Sequence, residues 1–217
     1  MLKVKQKYFI DSHKGITPLF IIILISFYNA WDNIEAIIYL ALHGTYGILW
    51  ATKSYIYPDK QWESKVNVWY GFLIWVFLSF YWLSAYIIVS GNHFMKINFF
   101  DDLGPVYLGI LIGMYIVGIF LHFTSDMQKY ISLKIKPGNL ITEEMFSRSR
   151  NTNYLGELLI YLGFILISRD YLPLIALLTI ILFVWIPNMI KKDKSLARYD
   201  DFREYKRKSK AFFPFLF

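Results

Sequence analysis

The chain has 217 residues, of which 56% are hydrophobic, 20% are aromatic and only 18% are charged. This charged fraction lies below the roughly 25% of soluble domains, which argues against an ordinary soluble protein. The chain contains no cysteine, which excludes disulfides, thiolate metal sites and thiol nucleophiles. The net charge of +7 is concentrated before, between and after the apolar runs, so it indicates membrane orientation, with a surplus that could meet anionic lipid or phosphate, rather than nucleic acid.

Six apolar runs approach or reach the length of about 20 residues that a helix needs to cross a bilayer. They cover residues 16–31, 34–56, 68–90, 103–125, 153–168 and 173–190. The fifth run is short, so it could be tilted into a cavity or lie partly in the interface. Lysine and arginine crowd the N-terminus, every second connection and the tail, which places both termini in the cytosol by the positive-inside rule. The sequence therefore predicts an all-α polytopic membrane protein with about six transmembrane helices.

The polar residues are unevenly distributed, and they divide the chain into two halves. Residues 1–121 form predicted scaffold helices on the substrate side, and residues 122–217 carry more polar groups at helix ends. Gly109 and Gly113 form a small-xxx-small pair, which is typical of close helix packing. We expect an integral protein of the endoplasmic reticulum membrane if the source is eukaryotic, or of the inner membrane if it is bacterial.

On the fourth predicted helix, His122, Asp126 and Lys129 are spaced four and three residues apart, which places them on one face. These side chains could form a polar wall that binds part of a ligand. They could equally be an ion pair at the end of a helix, with a histidine at the interface.

Around the fifth helix, Arg150, Asn153, Glu157 and Tyr161 share a face by the same spacing. Asn153 could be an N-cap, and Arg150 an orientation charge. Glu157 does not fit such an explanation, because a carboxylate about one turn into an apolar segment needs a partner. Arg150 or a basic residue of the tail is the predicted partner, and this face is a candidate functional site.

The second helix and the tail carry two further candidate faces. In the second helix, His43 and Tyr46 lie in line with Trp50 and Lys53, and a buried tyrosine beside a histidine can donate a proton. A satisfied group in the core is the alternative for this pair. In the tail, Arg198 shares a predicted helical face with Phe202 and Tyr205, which fits an amphipathic helix on the membrane or a lid over a phosphate-bearing cofactor.

Several site types have no motif in this sequence. There is no G-x-G-x-x-G or G-x-x-x-x-G-K-[ST] motif for a dinucleotide or a nucleotide triphosphate. There is also no H-E-x-x-H, no G-x-S-x-G and no group of histidines with the spacing of metal ligands, so we expect no metal. A nucleotide would have to bind at the cytosolic ends of the helices and in their loops.

The segment Asn153-Tyr154-Leu155-Gly156-Glu157, preceded by Arg150, resembles the R-H-P-N-Y-x-G-[ED] signature of the membrane steroid and sterol reductases. Ser125-Asp126 and Lys136-Pro137-Gly138 resemble the loop that precedes this signature in the steroid 5-alpha-reductases. The ending from Phe202-Arg203-Glu204-Tyr205 to Phe213-Pro214-Phe215-Leu216-Phe217 resembles their terminus. The resemblance covers roughly residues 120–217. One departure is that Asn151-Thr152 replaces the His-Pro of the signature.

This resemblance implies an NADPH-dependent oxidoreductase that reduces a C=C bond of a steroid-, sterol- or enone-like lipid entering from the bilayer. Asp126, Asn153 and Glu157 would contact the nicotinamide and ribose, and Arg150, Arg198 and Tyr199 the phosphates. The same cofactor set includes His122, Lys129, Tyr154 and Asp193. The reductases polarise their substrate with a Glu–Tyr pair; the early helices here lack such a glutamate, so Tyr46 with His43 is the expected catalytic pair. A related R-H-P-x-Y-x-G occurs in isoprenylcysteine and phospholipid methyltransferases, which use S-adenosylmethionine. A non-catalytic membrane scaffold is the third possibility.

Overall fold

A computed structural model describes residues 2–214, apart from the side chains of residues 100–102. Phe215, Leu216 and Phe217, which belong to the terminal motif, lie outside the described residues. The α helices are α1 Gln6–Phe27, α2 Ile34–Ile56, α3 Val68–Leu78, α4 Tyr81–Ser90, α5 Gly104–Ile135, α6 Thr152–Ile165, α7 Tyr171–Ile180, α8 Ile186–Leu196 and α9 Phe202–Lys208. Short 3-10 turns cover Asn98–Leu103, Glu144–Phe146 and Leu166–Ser168, and a π-helical turn, Ile181–Trp185, joins α7 to α8.

The all-α membrane class is confirmed. Within residues 2–214, five helical segments are long and apolar enough to cross a bilayer: Gln6–Phe27, Ile34–Ile56, Val68–Ser90, Gly104–Ile135 and Tyr171–Leu196. The fifth predicted run is a shorter apolar helix, Thr152–Ser168. The chain is therefore an integral membrane protein, and the cytosolic placement of its termini stays a prediction.

Several predicted boundaries were wrong because polar residues lie inside helices. α1 begins at Gln6 rather than residue 16, and it buries His13 and Lys14 instead of leaving them in a leading loop. α5 continues to Ile135, ten residues beyond the apolar run of residues 103–125, as the predicted shared face of His122, Asp126 and Lys129 requires. The third run is divided at Ser79, whose hydroxyl donates to the Trp75 carbonyl at 3.0 Å; this type of bond often bends a helix.

The chain folds as two compact units. Unit 1 comprises residues 1–115 and 162–176, and unit 2 comprises residues 116–161 and 177–217. The predicted halves divide at residues 121 and 122 instead, and they assign the hairpin of residues 162–176 to the second half. The assignment of a substrate half and a cofactor half stays a prediction.

Unit 1 has an aromatic core. Phe164 is 1% exposed, and its ring stacks on His43 with centroids 3.7 Å apart. Tyr39, Tyr46 and Tyr115 surround the same ring at 5.4–6.1 Å. These ring contacts tie Phe164, and with it the hairpin of residues 162–176, to α2 and α5 within the unit.

Two local features outside the helices stabilise unit 1. At one end, strand β1 (Lys3–Lys5) pairs antiparallel with β2 (Lys65–Asn67), a small sheet that helical patterning did not predict. In the other feature, the carboxylate of the fully buried Asp170 accepts hydrogen bonds from the backbone N–H groups of Phe94, Met95 and Leu172 at 2.7–2.9 Å. Asp170 therefore fastens the loop after α4 to the start of α7.

Candidate functional site

The candidate site in unit 2 depends on close contact between α5 and α6. A Cβ atom on Gly156 would lie 2.4 Å from the backbone nitrogen of His122, and one on Gly118 would lie 2.7 Å from the Gly156 carbonyl. Both distances are shorter than any normal contact, so glycine is required for the two backbones to meet here. The predicted packing pair was wrong, because a Cβ atom on Gly109 or Gly113 would meet no atom of the described residues within 4 Å.

The contact between the helices places His122, Asp126 and Asn153 together. His122 and Asp126 are 3% and 4% exposed, and His122 Nε2 lies 3.7 Å from Asp126 Oδ2. His122 Nδ1 lies within hydrogen-bond distance, 3.1 Å, of the Asn153 backbone oxygen. The shared face of His122, Asp126 and Lys129 is confirmed as part of one continuous helix, with Lys129 half-buried at its outer end.

Asn153 contributes a buried hydrogen-bond acceptor to this site. Its side-chain oxygen Oδ1 is inaccessible to solvent and has no hydrogen-bond partner among residues 2–214. The N-cap alternative does not hold, because α6 begins at Thr152 and the Leu155 N–H donates to the Asn151 carbonyl at 3.1 Å. A buried polar atom left unpaired costs about 1–3 kcal/mol, so this oxygen suits a donor group of a ligand.

Glu157 has a partner that spacing alone did not select. Its carboxylate accepts a hydrogen bond from the Tyr161 hydroxyl, one turn later on α6, at 2.5 Å. The predicted pairing with Arg150 or a basic tail residue was wrong. Tyr161 and Tyr154 both pack against Trp185, with ring centroids 5.9 Å and 5.3 Å apart. Glu157 is half-buried beside this aromatic group, with its carboxylate held by a neutral hydroxyl.

Arg150 is buried and engaged within unit 2. Its Nε and Nη2 donate to the two carboxylate oxygens of Asp193 at 3.0 Å and 2.9 Å, and its Nη1 donates to the Ser209 carbonyl at 2.7 Å. Because a bidentate arginine–carboxylate pair has fixed geometry, Arg150 positions α8 and the tail against the start of α6. Its contact with a phosphate stays a prediction, and so does a direct cofactor contact by Asp193.

The two residues that depart from the reductase signature are both structural. Asn151 is fully buried; its Nδ2 donates to the Ala211 carbonyl at 2.6 Å, and its Oδ1 accepts from Lys192 Nζ at 3.1 Å. The Thr152 hydroxyl lies 2.5 Å from the Met145 carbonyl and 3.1 Å from the Ser149 carbonyl. Sequence reasoning missed Lys192, whose Nζ also donates to the Arg150 carbonyl at 2.5 Å.

The tail does not form the predicted helix. α8 ends at Leu196 and α9 begins at Phe202, so Arg198 does not share a helical face with Phe202 and Tyr205. Phe202 and Tyr205 are buried in unit 2, and the Tyr205 hydroxyl donates to the Phe146 carbonyl at 2.7 Å. Burial raises the pKa of Tyr205 to about 12, with the nearby Arg150 charge opposing the shift.

Arg198 and Tyr199 lie in the turn between these helices. The Arg198 guanidinium donates to the Tyr199 hydroxyl at 3.1 Å and lies over its ring. Tyr199 lines a groove of about 660 Å³ together with Asp200, Asp201 and Glu204. The three carboxylates of this groove outnumber its one ammonium group, Lys208, and disfavour a phosphate, so the exposed Arg198 is the better candidate of the pair for a phosphate contact.

The predicted catalytic pair lies in unit 1. His43 and Tyr46 are 4% and 2% exposed on α2, in line with the buried Trp50 and Lys53 as the spacing indicated. The ammonium of Lys14 lies 4.2 Å from the centroid of the Tyr46 ring. Across residues 2–214, no three His, Asp or Glu side chains are grouped so that they could hold a metal ion.

The family model described as "Protein of unknown function (DUF1295)" matches residues 2–209, nearly the whole chain. The chain belongs to this family. No curated protein and no solved structure matches it. The family match covers both units, so the early helices and the α5–α6 site belong to one family architecture rather than to a family domain with an appendage.

Proposed function

We propose that this protein is an NADPH-dependent reductase of a C=C bond in a lipid-soluble substrate such as a steroid, a sterol or an enone lipid. The observation that carries the proposal is the buried, unpaired oxygen of Asn153 beside His122 and Asp126. The carboxamide of a nicotinamide ring has two N–H donors that such an oxygen can accept. The carboxylates of Asp126 and Glu157 are suited to the ribose hydroxyl groups, which are also donors.

The remaining residues of the set divide into binding and positioning groups. Lys129 and the exposed Arg198 offer positive charge for the phosphates. Arg150 and Asp193 position α8 and the tail through their bidentate pair, and Tyr154 packs beside Glu157 against Trp185. These contacts hold the start of α6, and therefore Asn153, in place.

A reduced nicotinamide, when bound, would supply the hydride for one carbon of the double bond. The chain must then supply a proton to the other carbon, and Tyr46 with His43 is the proposed acid. Replacement of Tyr46 by phenylalanine should leave cofactor binding intact and abolish turnover. Turnover that is unchanged in Tyr46→Phe would remove this assignment.

The first test is the thermal stability of the purified protein with NADPH, NADH or S-adenosylmethionine. A ligand at 100 times its dissociation constant that binds only the folded state adds about 2.7 kcal/mol. At about 2–4 °C per kcal/mol for a chain of this size, we expect Tm to rise by about 5–10 °C with NADPH. S-adenosylmethionine as the stabilising ligand would indicate a methyltransferase, and no response to any of the three would favour a membrane scaffold.

The site is tested by three variants in the same assay. Asn153→Ala removes the acceptor and should lose the shift, whereas Asn153→Asp keeps an acceptor oxygen and should retain part of it. Asn188→Ala, at an exposed position on α8, is the matched control and should respond like the wild type. An unchanged shift in Asn153→Ala would show that the cofactor does not bind at this oxygen.

A further inference from the structure

A second group of buried titratable side chains lies inside unit 1. His13 and Lys14 on α1 are 0% and 5% exposed, and His43 and Tyr46 on α2 face the same cavity of about 10 Å³. Ionisable residues at membrane depth are costly and usually functional. The proposed function uses only His43 and Tyr46, and it leaves His13 and Lys14 without a role.

Two histidine nitrogen atoms are important for this cavity. His13 Nδ1 and His43 Nε2 are both inaccessible to solvent, and neither has a hydrogen-bond partner within the described part of the chain. The roles of the His13 nitrogens follow from its neighbour. The Ser79 hydroxyl has one proton, which it donates to the Trp75 carbonyl at 3.0 Å. It must therefore accept the hydrogen bond that it shares with His13 Nε2 at 3.3 Å. In a neutral ring His13 Nδ1 is then an acceptor, and it needs a donor from inside the cavity.

The helix backbones add to the polarity of the cavity. Pro18 has no N–H and therefore cannot donate the helical hydrogen bond to the Lys14 carbonyl four residues earlier. That carbonyl oxygen lies 2.8 Å from where a Cβ atom of Gly47 would be, so α1 and α2 approach closely at this level. A cavity of about 10–15 Å³ holds one water molecule when it offers two to four polar partners, and this cavity meets both conditions.

Further polar and cationic side chains lie along α1 and α2 outside this cavity. A second cavity of about 10 Å³ lies among Asp11, Trp50, Lys53 and Ser54. Asp11 accepts hydrogen bonds from the Trp50 indole at 2.9 Å and from the Ser54 hydroxyl at 2.7 Å. The Trp50 ring lies 4.5 Å from Lys14 Nζ, which lines the inner cavity. Trp50 therefore contacts a residue of each cavity, Asp11 through its indole N–H and Lys14 through its ring.

We propose that His13 and His43 hold a water molecule in the interior of unit 1, and that this water exchanges with bulk solvent past Asp11 and Trp50. The role of the water rests on the proposed function. After Tyr46 gives its proton to the substrate carbanion, its phenolate takes a proton from hydronium that arrives along this route, which restores Tyr46 and leaves water. His13 and Lys14 are positioning residues that keep the site polar.

The absence of cysteine from the sequence allows a direct test of water access, since any introduced thiol is the only one. Thr17 lines the inner cavity and is 3% exposed, whereas Ser84 is equally buried in the same unit but is not among the residues that line it. With silver ion as a small water-borne probe, we expect the thiol of Thr17→Cys to be lost in the folded protein and that of Ser84→Cys to be retained. Equal protection of both thiols would overturn the proposal.

The route is tested by filling its outer cavity. Adding Ser54→Leu to Thr17→Cys removes the hydroxyl bonded to Asp11 and should protect the thiol. Adding Thr52→Leu instead, at an exposed position on the same helix, should leave the reaction unchanged. A thiol that reacts equally in both double variants would show that water does not enter past Asp11.

The unmodified chain offers a second measurement in case the cysteine variants do not fold. The Trp82 indole N–H donates to the Thr17 hydroxyl at 3.1 Å, beside the inner cavity. We expect this proton to exchange with deuterium in the folded protein, followed by NMR of ¹⁵N-tryptophan and assigned with Trp82→Phe. Exchange only upon global unfolding would refute water access. Neither measurement uses a nicotinamide, so a failure of the reductase assignment is distinguishable from a failure of this one.

Discussion

The contact between Gly156 and His122 makes a quantitative prediction about Gly156→Ala. The added Cβ would lie 2.4 Å from the His122 backbone nitrogen and 2.8 Å from the Gly118 carbonyl. Backbone atoms cannot rotate away as a side chain can, so α6 must move from α5. Overpacking of this type costs about 1–3 kcal/mol. Alanine in a helix interior is favoured over glycine by about 0.8–1.0 kcal/mol, which offsets part of that cost.

Gly113→Ala on α5 is the matched control, because it gains the same helix propensity and its new Cβ would meet no atom of the described residues within 4 Å. The difference in unfolding free energy between the two variants therefore isolates the clash, at about 1–3 kcal/mol. At about 2–4 °C per kcal/mol, Gly156→Ala should melt several degrees below Gly113→Ala in thermal unfolding of the detergent-purified protein. Equal melting temperatures would show that α5 and α6 are not in backbone contact at this point.

Three further predictions concern stability. Arg150→Met removes the guanidinium that pairs with the Asp193 carboxylate, and it should lower the free energy of unfolding by denaturant by about 3 kcal/mol. Arg148→Met, at an exposed position, is the control and should cost little. Equal losses in the two variants would contradict the role of the pair. Asp170→Asn replaces a carboxylate oxygen with an NH₂ group, a donor that cannot accept from the surrounding backbone N–H groups, and it should lower the free energy of unfolding by about 1–3 kcal/mol. A variant as stable as the wild type would contradict the role given to Asp170. Burial raises the pKa of Tyr205 to about 12, so the stability that the neutral hydroxyl contributes is full below about pH 10 and is lost as pH rises from about 10 to 12. In Tyr205→Phe this part of the fall of Tm with pH should be absent.

Helical spacing predicted correctly which side chains share a helix face, but it did not predict which residues of other elements pair with them. Residues three or four positions apart lie on one face of a helix, so spacing alone predicts which side chains are neighbours. This holds for two sets: His122, Asp126 and Lys129 on α5, and His43, Tyr46, Trp50 and Lys53 on α2. The Arg150–Asp193 pair joins residues 43 positions apart, and no periodicity encodes such a pair. The same limit explains the incorrect partner predicted for Glu157.

Glycine spacing was equally ambiguous. Gly109 and Gly113 match the small-xxx-small pattern but face open space, whereas Gly118 and Gly156, on different helices, make the contact. A motif of two glycines on one helix cannot show which surface another helix will meet. The prediction for the tail was wrong for a different reason, because the chain is not helical between the end of α8 at Leu196 and the start of α9 at Phe202. The segment between them contains Asp200 and Asp201, a residue type that competes with the helical backbone for hydrogen bonds.

Asn151 and Thr152, which stand where the resembled signature has His-Pro, both have hydrogen-bond partners within unit 2. Asn151 bonds the Ala211 carbonyl and Lys192, and Thr152 reaches two carbonyls of the preceding turn. These contacts hold the start of α6 and the tail together, which is also what Arg150 does from the neighbouring position. The Asn153 oxygen, which has no hydrogen-bond partner among the described residues, lies directly after them and is the feature on which the proposed nicotinamide site rests. The cost of this oxygen, set beside so many well-bonded neighbours, supports a binding site at Asn153.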